Sequence, residues 1–225
     1  GDWGYRLDLQ SDDTVDVYVV DRTYNYRGYD SYNGWQNERH VIDDDDYLAT
    51  YTIDPACPLI FAEDKVWLEG ELSSKVTVAA ADTDTAGVDP SIILNDNITY
   101  ASSSGGLLAV AEEDVLVGLV VPDDMELNGI FVAQNGRFGR NHYRTWSSND
   151  VLWFHDSYVL RDSLTINGTI VSNGRVGTQW SSSGVRISGF GTRFNSYDRE
   201  LVDNPPPLAP ETSEDYRFTQ WREDD

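Results

Sequence analysis

The carboxylates of this sequence come in clusters that could hold a cation. Asp82, Asp84 and Asp89 lie in DTDTAGVD (82–89), directly after a run of strand-forming residues. Hard oxygen ligands on a flexible loop suit calcium, which takes six to eight of them. The spacing is not that of an EF-hand, so we predict a loop-built calcium site at these three residues. A second cluster, DDDD at 43–46, has the simpler interpretation of a solvated charge run.

Other residue types that carry chemistry are sparse. His142 and His155 flank one aromatic-rich segment without a helical i, i+4 spacing, so we predict ordinary loop histidines rather than zinc ligands. Asp123 and Asp124 form the kind of carboxylate pair that glycoside hydrolysis uses, but no partner set is recognisable, which favours a solvated turn after Pro122. No nucleophile elbow, P-loop or Cys-x-x-Cys motif occurs. We therefore predict no catalytic residues and no enzyme.

Two aromatic-rich stretches are predicted to bind a ligand or a partner. The first, TYNYRGYDSYNGW at 23–35, is predicted to be a loop with these contact residues: Tyr24, Tyr26, Tyr29, Tyr32 and Trp35. Tyrosine and tryptophan offer large contact area at low entropic cost, so this loop could stack on sugar rings or dock against another subunit. The second stretch, WSSNDVLWFH at 146–155, contributes Trp146 and Trp153, with a local lid over the body as the competing interpretation.

Composition restricts the class of partner. The formal net charge is -23 and the pI is about 4.2, which excludes nucleic acid because the sequence offers no basic patch. Few lysines and many aspartates fit a saline or calcium-containing exterior, or simply a soluble surface protein. No apolar run is long enough to span a membrane, although a membrane-anchoring N-terminus is expected to be missing. Cys57, the only cysteine, lies between prolines and is predicted to be a small core residue.

A repeated motif indicates how the chain is organised. LNGIFVAQNGRFG (127–139) recurs as INGTIVSNGRVG (166–177), and shorter copies begin at 68 and 94, with Asp96 in the glycine position of the copy at 94. A constant motif at irregular spacing is typical of a solenoid with loops of variable length. We therefore predict an all-β fold, a right-handed parallel β-helix over 61–190, in which the four copies stack as parallel strands. A β-sandwich is the alternative.

The segments on either side of the predicted solenoid are predicted to form different structures. Residues 1–60 are predicted to form an N-terminal β cap with the Tyr-rich loop, because YRLDLQSDDTVDVYVV (5–20) alternates like a hairpin. Residues 191–225 are predicted to form an extended strap and a closing strand. The strap is DNPPPLAPETSEDY (203–216), since consecutive prolines preclude regular structure, and the strand is YRFTQW (216–221).

The order of these pieces resembles the extracellular part of PilX-type pilus-assembly proteins, a minor-pilin-like bacterial family. The similar stretches are PLIFAEDKVWLEGELSSKVTVAAA (58–81), NITYA (97–101), GIFVAQNGRFGR (129–140), LTINGTIVSNGRVGT (164–178), FNSYDRELVDNPPPLAP (194–210) and YRFTQWRE (216–223). The resemblance rests on overall order across residues 5 to 223 and includes no catalytic signature. It implies a membrane-inserted N-terminal helix, which this sequence lacks, followed by an exported β-rich domain.

These observations lead to one function and one alternative. We expect an extracellular, non-catalytic structural or adhesive subunit of a type IV pilus-like assembly at the cell surface. Its expected partners are other subunits of the assembly and glycans. The alternative is a carbohydrate-active or carbohydrate-binding β-helix protein. An enzyme of this kind would require an acidic groove of aspartates with arginine on successive coils.

Overall fold

The computed structural model describes residues 3–83, 87–145 and 150–209. Within these ranges the chain is all-β, as predicted, and its strands join in one large mixed sheet. None of the helices in these ranges has the length and hydropathy needed to cross a lipid bilayer.

Short strands follow two very long ones. The strands are β1 Tyr5–Leu9, β2 Thr14–Asp30, β3 Gly34–Thr52, β4 Leu59–Ala62, β5 Val66–Leu72, β6 Lys75–Ala80, β7 Ile92–Tyr100, β8 Gly106–Ala111, β9 Val115–Val117, β10 Asp124–Ala133, β11 Phe138–Gly139, β12 Leu160–Ser172, β13 Gln179–Ser182 and β14 Val185–Ser196. A 3₁₀ helix covers Trp153–Val159, and a single α-helical turn, α1, covers Glu200–Asp203.

The N-terminal part is antiparallel. Strands β1 and β2 pair around a turn in which Asp13 has a φ of 64°, which confirms the predicted hairpin. Alternation places Val15 and Val17 on the buried face. Strand β2 then continues far beyond this hairpin and pairs with β3 as far as Asp30 and Gly34. We call β2 and β3 together the long hairpin.

The remaining short strands stack mostly in parallel, in three rows. Row one joins Tyr5, Val66, Ile92, Val115 and Phe138 as successive partners. Row two joins Gly70, Ile98, Leu127, Ile166 and Asn195. Row three joins Leu59, Thr77, Leu108, Ile130 and Thr169. One buried cluster contains aliphatic residues from all three rows, so the rows share a common core.

The repeated motif lies where the chain passes from row two to row three. Strand β10 pairs with β7 at Leu127 and with β8 from Ile130 onward, so Gly129 stands at the corner between the rows. Gly168 occupies the same corner in β12, and both glycines have φ values near +147°: 149° and 146°. The predicted parallel stacking of the four copies is confirmed, and their first aliphatic residues are all buried.

The prediction that Asp96 substitutes for glycine is wrong. Gly70 of β5 pairs with Ile98 of β7, not with Asp96, because the register shifts between Leu68 and Gly70. Asp96 is exposed in this irregular stretch, and its φ is not positive. The shift absorbs the extra residues of β7, so the backbone there never needs the glycine conformation.

The start of the predicted strap is in contact with row three. Leu201 of α1 is buried, and the Lys75 ammonium lies 3.6 Å from Glu200. The Thr77 hydroxyl donates a hydrogen bond to the carbonyl of Pro207. The rest of the strap and the predicted closing strand at 216–221 lie outside the described residues.

The prediction that Cys57 is a core residue is wrong. It is exposed at the surface rather than buried. The backbone turns at Asp54, whose carbonyl accepts the Cys57 N–H at 3.0 Å and whose carboxylate accepts the Ala56 N–H at 2.8 Å. This turn follows the long hairpin and holds the thiol outside the core.

Candidate functional site: a groove beside the long hairpin

Four polar residues align along one edge of the stack, each directly before a strand of row one. We call Lys65, Ser91, Asp114 and Arg137 the corner ladder. Backbone hydrogen bonds of about 3 Å join its steps: Val66 N–H to Ser91 O (2.9 Å), Ile92 N–H to Asp114 O (2.9 Å) and Val115 N–H to Arg137 O (3.0 Å). The residue that follows each ladder residue is apolar and buried, so the ladder lies at the edge of the buried face, with polar groups on successive strands.

Polar contacts and burial shift the pKa values of two carboxylates at the ladder, Asp89 and Asp114. The Lys65 ammonium lies 2.8 Å from one oxygen of Asp89, and the Ser91 hydroxyl donates to the other at 2.6 Å. Burial alone would raise the pKa of Asp89, but the attraction and hydrogen bond of Lys65 outweigh it and lower that pKa. Asp114 accepts the Arg137 N–H at 2.7 Å, yet burial raises its pKa. Two neighbouring carboxylates are therefore shifted in opposite directions.

A buried network attaches the long hairpin to this ladder. Glu38 of β3 accepts hydrogen bonds from the Tyr143 hydroxyl and from the Asn141 amide, the latter at 2.5 Å. The carbonyl of the Asn141 side chain accepts from the Arg137 guanidinium. All four side chains are buried, and burial followed by the nearby Glu38 raises the pKa of Tyr143. His40 lies 3.5 Å from Glu38, and burial lowers its pKa.

Aromatic contacts hold the tip of the long hairpin. The His142 ring lies between those of Trp35 and Trp180, with centroid distances of 5.4 and 5.8 Å, and Tyr29 packs 5.4 Å from Trp180. Beyond them, the Tyr32 hydroxyl accepts the Arg175 N–H at 2.6 Å. The hairpin tip therefore crosses the end of the ladder beside Arg175.

Two cavities follow the ladder beneath the hairpin, and Arg137 lines both. The first, the amide cavity, has a volume of about 540 Å³ and includes Lys65 and Asp114. Five side-chain amides also line it: Asn25, Asn33, Gln36, Asn37 and Asn141. The second, the basic pocket, has a volume of about 480 Å³ and includes Arg137, Arg175, Arg193 and Trp180. Together we call them the ladder groove, which is our candidate functional site.

The predicted Tyr-rich loop is instead part of the long hairpin. Tyr24, Tyr26 and Tyr29 lie in β2 and Trp35 lies in β3, so only Tyr32 is in the connecting turn. The backbone of this stretch is hydrogen-bonded between β2 and β3, and most of its aromatic rings pack against other rings of the protein. Tyr26 is buried, and its hydroxyl shares a 2.6 Å hydrogen bond with His155.

The second aromatic stretch is only partly described. Trp153 begins the 3₁₀ helix and is 72% exposed, with its ring 5.6 Å from that of Phe154. Trp146 lies outside the described residues. His142 and His155 belong to separate aromatic clusters, one at the hairpin tip and one beside Tyr24 and Tyr26.

The predicted calcium ligands are also only partly described. Asp84 lies outside the described residues, and Asp89 is engaged by Lys65 and Ser91. The backbone N–H of Asp82 donates to Glu112 at 2.8 Å. Over ranges 3–83, 87–145 and 150–209, no group of three His, Cys, Asp or Glu side chains is arranged to hold a metal ion.

The other acidic candidates have partners within the molecule. In the run 43–46, Asp45 lies 2.5 Å from Arg6, while Asp43 and Asp44 lie 3.1 and 2.9 Å from Arg22. Asp123 lies 2.8 Å from Arg161, and Asp124 accepts the Ser163 hydroxyl at 2.5 Å.

The corner ladder was not predicted from the sequence. Its residues are far apart in the chain and meet only because the strands of row one stack. A local signal was present, since each one is a polar residue directly before an apolar strand start: KVW, SII, DVL and RFG. Aligning these starts would have placed Lys65, Ser91, Asp114 and Arg137 in one line.

The chain matches no protein-family model, no curated protein and no solved structure.

Proposed function

We propose that this protein is a non-catalytic adhesive subunit at the bacterial cell surface, and that its ladder groove binds an extended glycan. The observation that carries this proposal is the repetition of polar ladder residues on successive coils beneath two adjoining cavities. Gly139 and Gly177 are parallel bridge partners, which places Arg175 one step beyond Arg137. Four steps of about 4.8 Å therefore give the groove a length of roughly 19 Å from Lys65 to Arg175.

The chemistry of the groove suits sugars. Side-chain amides can donate to and accept from sugar hydroxyl groups, and carboxylates can accept from them. Trp3 lines the amide cavity and Trp180 lines the basic pocket, so each cavity also offers an aromatic ring. A few placed polar groups with aromatic surface are typical of small-ligand sites of this volume.

We also infer that the three rows are the faces of a closed, right-handed parallel β-helix. The chain visits rows one, two and three in the same order on each circuit, and all three contribute to one core. Such a body is rigid along its length, which suits a groove that must hold an extended ligand.

Membership of a type IV pilus-like assembly is the part of the proposal that rests on the resemblance to PilX-type proteins. The acidic, lysine-poor composition fits an exposed location, and the partners would be other subunits of the assembly. We expect antibodies against this protein to label surface filaments of intact cells in immunogold electron microscopy. Label confined to the cell interior would contradict the surface location, and label on the surface without filaments would contradict the assembly.

Glycan binding can be tested with groove variants. Asn25 and Asn37 are exposed, line the amide cavity and form no side-chain hydrogen bond with other described residues. We expect the parent protein to bind members of an array of neutral and acidic glycans. The double variant Asn25→Ala, Asn37→Ala should bind about 5- to 150-fold more weakly in calorimetry, because the loss of two hydrogen bonds at roughly 0.5–1.5 kcal/mol each costs about 1–3 kcal/mol.

The matched control is Asn173→Ala, an exposed asparagine outside both cavities, which should bind like the parent. Absence of binding to every glycan would contradict the proposal. The second candidate function is a carbohydrate-active enzyme, favoured by the position of Asp114 and Arg137 on successive coils, which is the arrangement that such an enzyme requires. Release of reducing ends from a bound glycan, lost in Asp114→Asn, would select that candidate instead.

A further inference from the structure

The two ends of the ladder groove differ in charge. Three arginines, Arg137, Arg175 and Arg193, line the basic pocket, and no carboxylate is among its described lining residues. This is unusual in a chain with 39 acidic residues and 16 basic ones. Three like charges around one cavity repel one another, so an anion in the cavity would be stabilised by all of them.

Two of these arginines have side chains that are free of partners within the described ranges. Arg175 donates only its backbone N–H, to Tyr32, and no side-chain hydrogen bond or ion pair joins Arg193 to another described residue. Other arginines of the chain do pair with carboxylates: Arg6, Arg22, Arg144 and Arg161. A free guanidinium presents a planar set of donors that matches a carboxylate.

The other residues that line the basic pocket favour an organic ligand over an inorganic ion. A cavity of about 480 Å³ is within the usual range for organic ligands. The Trp180 ring is fixed, because its indole N–H donates to the Arg140 carbonyl at 2.9 Å and Tyr29 packs against it. Gln179 and Ser181 add hydrogen-bonding groups next to this ring. A ring with hydroxyl groups and one carboxylate satisfies this combination.

We propose that the basic pocket binds the carboxylate of an acidic saccharide, with a uronic acid residue held by Arg175 and Arg193 against Trp180. This deepens the proposed function and rests on it, because the neighbouring sugars would lie in the amide cavity. The ladder groove is then selective for acidic glycans, and the acidic residue fixes which end of the glycan occupies the pocket.

The test uses a hexamer of galacturonic acid and its carboxyl-reduced counterpart, which has the same linkages without the charges. At physiological ionic strength, where charges more than about 8 Å apart are largely screened and the net charge of -23 repels the ligand little, the parent protein should bind the acidic hexamer at least about tenfold more tightly in calorimetry, because the contact pairs in the pocket are screened least. Arg175→Gln, Arg193→Gln should abolish this preference. Arg22→Gln is the matched control, since it removes an exposed arginine outside the groove and should retain the preference.

The outcomes separate this inference from the proposed function. Equal binding of both hexamers, weakened by the Asn25→Ala, Asn37→Ala variant, would overturn the acidic preference while leaving glycan binding intact. Binding of neither hexamer, together with galacturonic acid shifting the Trp180 indole resonance in NMR, would support the pocket and contradict the extended groove. Competition by sulfate or phosphate at the same concentration as galacturonic acid would overturn the saccharide assignment, and no response to any of these probes would overturn both proposals.

Discussion

Replacing Glu38 by alanine should lower the free energy of unfolding by about 3 kcal/mol or more. The change leaves the buried Tyr143 hydroxyl and Asn141 amide without their acceptor, and each unsatisfied donor costs roughly 1–3 kcal/mol. A cavity adds to the loss, because surrounding side chains only partly refill it. Urea unfolding followed by tryptophan fluorescence would measure this, with the midpoint moving to lower urea.

Two further variants give this expectation its controls. Glu71→Ala removes an exposed glutamate of β5 and should stay within about 0.5 kcal/mol of the parent. Glu38→Gln keeps an acceptor for one donor and should fall between the two. If Glu38→Ala unfolds within about 1 kcal/mol of the parent, the network does not hold the hairpin to the ladder, and the wall of the groove has another basis.

The loss of stability in Glu38→Ala should affect the long hairpin before it affects the rest of the protein. Glu38 is the link between β3 and the ladder residue Arg137 through Asn141, so its removal detaches the hairpin wall first. Hydrogen exchange in Glu38→Ala should therefore accelerate along β2 and β3 more than along β10 and β12, whose parallel pairing is unaffected.

The stacked rows could be predicted from sequence because they depend on a local constraint. Gly129 and Gly168 recur where one strand bends from row two to row three, and aliphatic residues on both sides face the core. Any chain that stacks such corners must repeat this motif. The prediction for Asp96 failed because the register shifts between β5 and β7, so β7 has no glycine corner at that position. The sequence motif carries no sign of such a shift.

The long hairpin was harder to predict. Tyrosine-rich segments with glycine and asparagine suit both loops and strands, since aromatic residues favour a pleated surface while glycine interrupts it. Pairing between β2 and β3 determines the outcome, as Tyr29 against Trp35 illustrates. Because Glu38 and Asn141 meet only after this pairing, the groove wall depends on contacts between distant parts of the chain. The sequence therefore predicted the body better than the site.

Replacing Gly168 by alanine should destabilise the stack by about 3 kcal/mol or more. The φ of Gly168 is 146°, and a Cβ there would lie 1.9 Å from the carbonyl oxygen of Gly129 in the neighbouring strand β10. Backbone strain of this kind costs roughly 1–3 kcal/mol. Relieving the clash must also separate β10 from β12 and weaken their hydrogen bonds, at about 0.5–1.5 kcal/mol each. Thermal and urea unfolding would both report the loss.

Alanine variants of two other glycines distinguish the cost of backbone strain from the cost of the steric clash. Gly184 has a φ of 80° with no atom within 4 Å of an added Cβ, so Gly184→Ala carries the backbone cost alone, about 1–2 kcal/mol. Gly177 has the same open space without a positive φ, so Gly177→Ala should leave stability nearly unchanged. The expected order of destabilisation is Gly168→Ala, then Gly184→Ala, then Gly177→Ala. Equal losses at Gly168 and Gly184 would mean that β10 and β12 can move apart freely, in which case the glycine corner does not set the spacing of these two strands.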